Sequence, residues 1–443
     1  MSIVNKNNTR ISHAELKKLV KKYNAFISQL ETIFVGREKV FELLKYALLM
    51  RMHAMFFGSP GTSKTAIADI LFDSIESDNG KVKKFKIELT AFSGEDALFG
   101  PYDTKIMREQ GALVHQTAGM LPEANFGRIG EMLDANTATL RALLSSLNER
   151  RLVKGRQILE MPLHTAYCDT NVDPYQFMRR NPTAWAVFDR IAFIHQVGYL
   201  SEANLISEMV SRYQSGQTKM AIDTITLEEI NAIADYIMFP PSIIQDKLIY
   251  EKYGEAVIEY RVKRKEKIRE MEESAKAQFQ KTGKAGQQFE VDMQGIILPD
   301  ISDRRVCWAS QMIEISAVLD GRIQAIPEDM IPAHYILGTS EIERDLWIQV
   351  ITPKIAQINE AKKNQLSEAQ RAQIGLMETN LANVLKEQDL DIRINGVTTL
   401  TEQIEGMKPE DKTVEDALER FKKTLTEATE KVKGELLNSK KLK

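Results

Sequence analysis

The sequence predicts an α/β fold: a three-layer core with a mainly parallel sheet, followed by an all-α segment and a helical C-terminal region. Three observations carry this. Up to about residue 200, short apolar runs alternate with helical stretches, the pattern of strands joined by crossover helices. One of those runs, His53-Ala54-Met55-Phe56-Phe57, ends in a Gly/Pro-rich turn and opens directly into an apolar helical segment. From Ser201 onward strand signals fade and helical periodicity takes over.

Taken in order, residues 1–30 read as an N-terminal helical segment. The helical pattern from Ala14 to Arg51 is broken at Phe34-Val35-Gly36-Arg37-Glu38. A turn just ahead of a phosphate-loop strand sits near the adenine, which makes Val35 and Gly36 candidate base contacts. The turn Gly58-Ser59-Pro60-Gly61-Thr62-Ser63 and the following Lys64, Thr65 and Ala66 have the strand–loop–helix context of a phosphate-binding P-loop. Backbone N–H groups of the loop and helix start converge on phosphates, Lys64 reaches the β and γ oxygens, and the Thr65 hydroxyl is offered to Mg²⁺. Ser63 stands where glycine is usual, a small residue that still lets the backbone approach.

Phe85-Lys86-Ile87-Glu88-Leu89 alternates as a second strand, and Asn125 to Glu131, His164 to Cys168 and Ala192 to Gln196 follow, with a helix over Ala138 to Arg150. The third of these strands ends in Gly130-Glu131, where a P-loop ATPase keeps an Asp-Glu pair. There the Asp supports Mg²⁺ and the Glu polarises the attacking water. Glu131 retains the second role unless it is a solvated surface carboxylate, and Asp134 is a poor geometric substitute for the missing Asp. Asn171 ends the next strand and suits a contact to the γ-phosphate, or simply a strand-ending turn. Arg190 either reaches a neighbouring subunit's ATP in trans or pairs within its own chain.

The 443 residues suggest about two to four domains. Lys and Arg number 59 against 62 Asp and Glu, for a formal net charge of −3. That balance argues against a nucleic-acid-binding surface over the whole molecule. Cys168 and Cys307 lack metal spacing; the expectation is two buried small hydrophobes in a reducing compartment. No apolar signal core opens the chain and no apolar run approaches the ~20 residues of a membrane helix, so a soluble, cytoplasmic protein is expected. Residues 260–288 are charge-dense and are read as an insertion, a projecting helix pair or a disordered loop that the fold can do without. Beyond Arg344 the chain is helical and polar, with loops expected at Asn395-Gly396 and Lys408-Pro409.

A further set of motifs is specific: Leu98-Phe99-Gly100-Pro101, Gly119-Met120-Leu121-Pro122-Glu123-Ala124, Leu143 to Arg150, Ile301-Ser302-Asp303-Arg304-Arg305 and Asp320-Gly321-Arg322. In this order and spacing the chain resembles the MoxR family of AAA+ ATPases, and within it the RavA-like branch, with a degenerate second acidic motif. The resemblance covers about residues 30–347. It implies an AAA+ core over 31–200, an all-α lid over 201–345 and a helical, partner-facing region over 346–443. It implies a homo-oligomeric, hexameric ring using ATP and Mg²⁺, with chaperone-like remodelling and a von Willebrand factor A domain partner. Gly100-Pro101 falls in the family's insert, Arg151 to Gln157 in its hairpin, and Arg304 matches the lid arginine that touches the γ-phosphate. A slow hydrolase is expected, with a nucleotide-binding structural or regulatory ring subunit as the alternative.

Overall fold

The computed structural model describes residues 11–181, 185–215, 222–238, 246–282, 296–298 and 300–441. Five strands, β1 (Ala54–Phe57), β2 (Lys84–Glu88), β3 (Phe126–Gly130), β4 (Thr165–Thr170) and β5 (Phe193–Gln196), form one sheet in the order β2-β3-β4-β1-β5. Every neighbouring pair is parallel. Parallel sheets are covered on both faces, and the strands reflect it: β1, β3 and β4 are buried at every residue. Met55, Ile129, Cys168 and Ile194 join one apolar cluster with Leu143, Leu147 and Phe188 from the helices.

The first two helices run His13–Ile33 and Glu38–Met50, separated by the expected turn. Ser12 caps the first, accepting from Glu15 N–H while the Glu15 carboxylate accepts from Ser12 N–H, a capping box that satisfies two end donors. The P-loop helix is Lys64–Asp73, and Thr137–Glu149 follows β3. A separate antiparallel hairpin, Arg151–Lys154 with Gln157–Glu160, lies ahead of β4.

Chain contacts divide the protein into residues 1–352 and 353–443. Within the first unit, the helix Asp303–Leu319 starts at Ser302, whose hydroxyl accepts from Arg305 N–H. Arg305 is fully buried and donates to the carbonyls of Ile191, Ala192 and Ile336, so one guanidinium ties this helix to the edge of the sheet. The second unit has its own core of Leu381, Val397, Leu400, Leu418, Phe421 and Leu425.

Three sequence expectations are corrected. Residues 260–282 belong to one continuous helix, Lys247–Thr282, not to a helix pair or a loop; its packed part includes Tyr260 and Arg264, both buried, whereas no described side chain from 265 to 281 is buried. The remaining 283–288 lie outside the described residues. Asn395-Gly396 is inside the helix Leu390–Glu405, because a Cβ at Gly396 would come within 2.7 Å of both Val384 methyls; the glycine serves close packing rather than a turn. Cys307 is exposed, while Cys168 is buried as expected.

Candidate active site

The P-loop connects the C-terminal end of β1 to its helix, and its backbone is held in conformations few residues adopt. Gly58 has φ +139°, and a Cβ there would run into the carbonyl oxygen of Val197. Ser63 has φ +68° and ψ 12°, a left-handed conformation that costs a residue with a Cβ roughly 1–2 kcal/mol. Strain of this kind concentrates at functional sites. The loop is thereby kept open, with Pro60, Gly61, Ser63, Thr65 and Ala66 exposed and Thr62 buried on the Ser59 carbonyl.

Lys64 is nearly buried. Its ammonium donates to the carbonyls of Gly58 and Ser59, both at 2.8 Å, and to Asn171 Oδ1 at 3.0 Å. Burial lowers its pKa, against the opposing pull of Asp169 and Glu131. An anion in the loop is the partner such a folded-back ammonium suits. Asn171 in turn donates from its side-chain amide and its backbone N–H to the Glu131 carboxylate. Lys64, Asn171 and Glu131, far apart in sequence, are therefore one hydrogen-bonded chain. Glu131 is itself left-handed, with φ +48°, which turns it out of β3 toward Asn171.

Beneath this chain the site holds groups that sequence reading missed. Asp169 is 3 % exposed, and burial pushes its carboxyl up to about 6 even though Arg128 opposes the shift. Arg128, also buried, holds Glu88 at 2.7 Å and lies 3.6 Å from Asp69 and 3.7 Å from Asp169. Asp169 sits two residues before Asn171 on the same strand face, a period-two signal that was there to be read. Asp134, by contrast, is exposed at the end of a short 3₁₀ turn.

Arg190 and Arg304 do not join the Lys64–Asn171–Glu131 chain. Arg190 Nη1 donates to Ala186 O, and Arg304 pairs with Asp189 at 3.2 Å, beside Ser302, whose hydroxyl also donates to Asp189. Val35 and Gly36 lie in the turn before the second helix. A cleft of about 230 Å³ opens there, lined by Gly36, Arg37, His195, Val197, Tyr199 and Leu205. Val197 is also the residue against which Gly58 packs, so cleft and P-loop adjoin.

Among the described residues no group of three or more His, Cys, Asp or Glu side chains is arranged to hold a metal. Mg²⁺ suits such a site, since it keeps waters and binds through one or two carboxylates plus substrate phosphates. Thr65, exposed at the helix start, and the unbonded Asp169 Oδ2 fit that partial donor set.

A parallel sheet in this order, with a P-loop after β1 and a buried carboxylate, Asp169, on the neighbouring strand β4, defines a P-loop ATPase of the AAA+ class. Residues 21–235 match the family model described as the MoxR domain in the MoxR-vWA-beta-propeller ternary systems. Over these residues the chain carries a MoxR-family AAA+ ATPase domain. Two uncharacterised proteins of Methanocaldococcus jannaschii are 26 % and 24 % identical over 239 and 220 residues, 53 % and 50 % of this chain. A structural protein of Acidianus two-tailed virus is 22 % identical over 51 % of the chain and 37 % of its own length. The chain spans 61 % and 54 % of the length of the two archaeal relatives. A crystal structure of a proposed ATPase from Cytophaga hutchinsonii covers 76 % of this chain and 95 % of its own, with a TM-score of 0.53 at 16 % identity, a likeness of fold. No helix among the described residues is long and apolar enough to cross a membrane.

Proposed function

We propose that the protein binds ATP with Mg²⁺ and hydrolyses it, as a RavA-like member of the family working in a cytoplasmic ring. The observation that carries this reading is the Lys64–Asn171–Glu131 chain, which links the phosphate loop to a water-orienting carboxylate. When bound, the cation neutralises charge developing on the transferred phosphoryl group. The protein's own groups have separate tasks. Lys64 exchanges the Gly58 and Ser59 carbonyls for phosphate oxygens. Asn171, released from Lys64, turns its amide to the γ-phosphate or keeps Glu131 aimed. Glu131 accepts a hydrogen bond from the attacking water and sets its direction.

Arg190 supplies positive charge to a neighbouring subunit's site, which makes turnover depend on assembly, a hexameric ring being the arrangement the family resemblance implies. Arg304, on the helix Asp303–Leu319, senses the nucleotide state and couples that helix to the core through Asp189. Remodelling of a protein partner follows from coupling that lid motion around a ring. A partner with a von Willebrand factor A domain is suggested by the systems in which this domain type is described. The second reading, a nucleotide-binding ring subunit that does not turn over, is favoured by one feature: Gly130 where a metal-supporting carboxylate is usual.

Steady-state ATPase measurements on wild type, Lys64→Ala, Glu131→Gln and Arg190→Ala test this. Lys64→Ala is expected to lose nucleotide binding. Glu131→Gln and Arg190→Ala keep binding and lose turnover, and wild-type specific activity rises with protein concentration. Nucleotide binding without turnover in wild type selects the second reading, and equal activity in wild type and Glu131→Gln removes the catalytic assignment.

A further inference from the structure

Gly130 lies directly beside Glu88 in the parallel register of β3 and β2. A Cβ at Gly130 would fall inside the Glu88 carboxylate, with both oxygens closer than van der Waals contact. The volume a side chain at 130 would take is thus already filled by a carboxylate from the next strand. Glu88 is not there by drift: Arg128, two residues before Gly130 on the same face, grips Glu88 Oε1 at 2.7 Å from a position 9 % exposed at the side chain. Arg128 is fixed in turn between Asp69 of the P-loop helix and Asp169. A second observation points to a missing ligand. Asp169 is 97 % buried, yet its Oδ2 accepts no hydrogen bond among the described residues and meets only the distant Arg128 Nη1, at 3.7 Å. A buried carboxylate oxygen left without a donor is costly unless something else meets it.

We propose that Glu88 replaces the carboxylate absent at Gly130 as the group supporting the divalent cation bound with ATP, with Arg128 as its positioning residue. The inference rests on the nucleotide-site reading above. It explains why a site that keeps Lys64, Thr65, Asn171 and Glu131 tolerates glycine at 130: the glycine leaves room for the neighbouring strand's carboxylate to occupy the place. One function has moved across one strand, because parallel neighbours in register place their side chains on the same face about 4.8 Å apart.

The test is equilibrium titration of the full chain with a fluorescent ATP analogue, in Mg²⁺ and in EDTA, which reads cation support without turnover. Wild type is expected to bind more tightly in Mg²⁺. Glu88→Gln, isosteric at a half-exposed position, is expected to keep the EDTA affinity and lose about tenfold or more in Mg²⁺, the scale seen when a group supporting a metal is removed. The exchange variant Glu88→Gly with Gly130→Asp returns the carboxylate to the other strand and is expected to recover the Mg²⁺ effect. Gly130→Asp alone is expected to bind less well than wild type, because the new carboxylate collides with Glu88. If Glu88→Gln preserves the wild-type Mg²⁺ effect, Glu88 is only the salt-bridge partner of Arg128 and the proposal is wrong. If wild type binds the analogue in neither condition, the nucleotide-site reading itself falls, and this inference with it.

Discussion

The pair Arg264–Glu343 gives the sharpest stability test. Arg264 Nε meets Glu343 Oε1 at 2.6 Å, with side chains 2 % and 1 % exposed, and Arg264 also donates to the Leu298 carbonyl. The other Glu343 oxygen accepts from Thr339 N–H and Thr339 Oγ1, both at 2.7 Å, and from Ser340 N–H at 3.1 Å. Replacing Arg264 by Met removes the cation, keeps much of the packing volume and leaves a carboxylate buried without its counter-charge. Breaking a buried pair from one side costs about 3–5 kcal/mol. The surviving donors to Glu343 hold the effect near the lower end, about 3 kcal/mol. Pairing Arg264→Met with Glu343→Gln removes the orphaned charge, so the double variant is expected to be more stable than Arg264→Met alone, with a coupling of about 1–2 kcal/mol. Urea unfolding followed by circular dichroism measures all three, with Lys267→Met on the exposed side of the same helix as the control. Arg264→Met within about 0.5 kcal/mol of wild type would show that the helix Lys247–Thr282 does not depend on this pair. It would restore the view of residues 260–288 as dispensable.

Other consequences are open to direct measurement. Ser63→Gly relieves a left-handed φ but adds backbone freedom to the unfolded chain, so a net gain of up to about 1 kcal/mol is expected in thermal unfolding; a loss would contradict the strain assigned to the loop. Gly396→Ala presses a methyl into Val384 and is expected to cost about 1–3 kcal/mol, read as a lower melting midpoint of the second unit; no change would mean the helices can move apart freely. Acid should weaken the fold. His53 accepts from Ala166 N–H at Nδ1 and so carries its proton on Nε2, facing Leu147 O. Burial lowers His53, His195 and His334 each to about 3. Below pH 6.5 the unfolded chain takes up protons that these buried rings refuse, so stability falls with pH until about pH 3. Each contributes about 1.4 kcal/mol per pH unit, or about 4 kcal/mol for the three at pH 5.5 relative to pH 8. Equal unfolding midpoints at the two pH values would refute the assignment.

What the sequence determined by itself was local or repetitive. Strand positions followed from short apolar runs, because a strand buried on both faces needs apolar residues throughout. The P-loop followed from Gly58 to Thr65, because a turn able to wrap a phosphate needs small residues in consecutive places. Lys64, Asn171 and Glu131 were legible singly. Only the tertiary structure joined the three into one hydrogen-bonded chain, since that depends on β4 lying between β1 and β3. Composition misread the segment after Tyr260, because a charge count cannot tell a solvated arginine from Arg264, buried against a carboxylate 79 residues away. The same limit applies to Gly130, which sequence alone reads as a simple loss. Whether a glycine marks an empty place or one already occupied depends on the register of the next strand, and register is set by long-range pairing that no local pattern around residue 130 records.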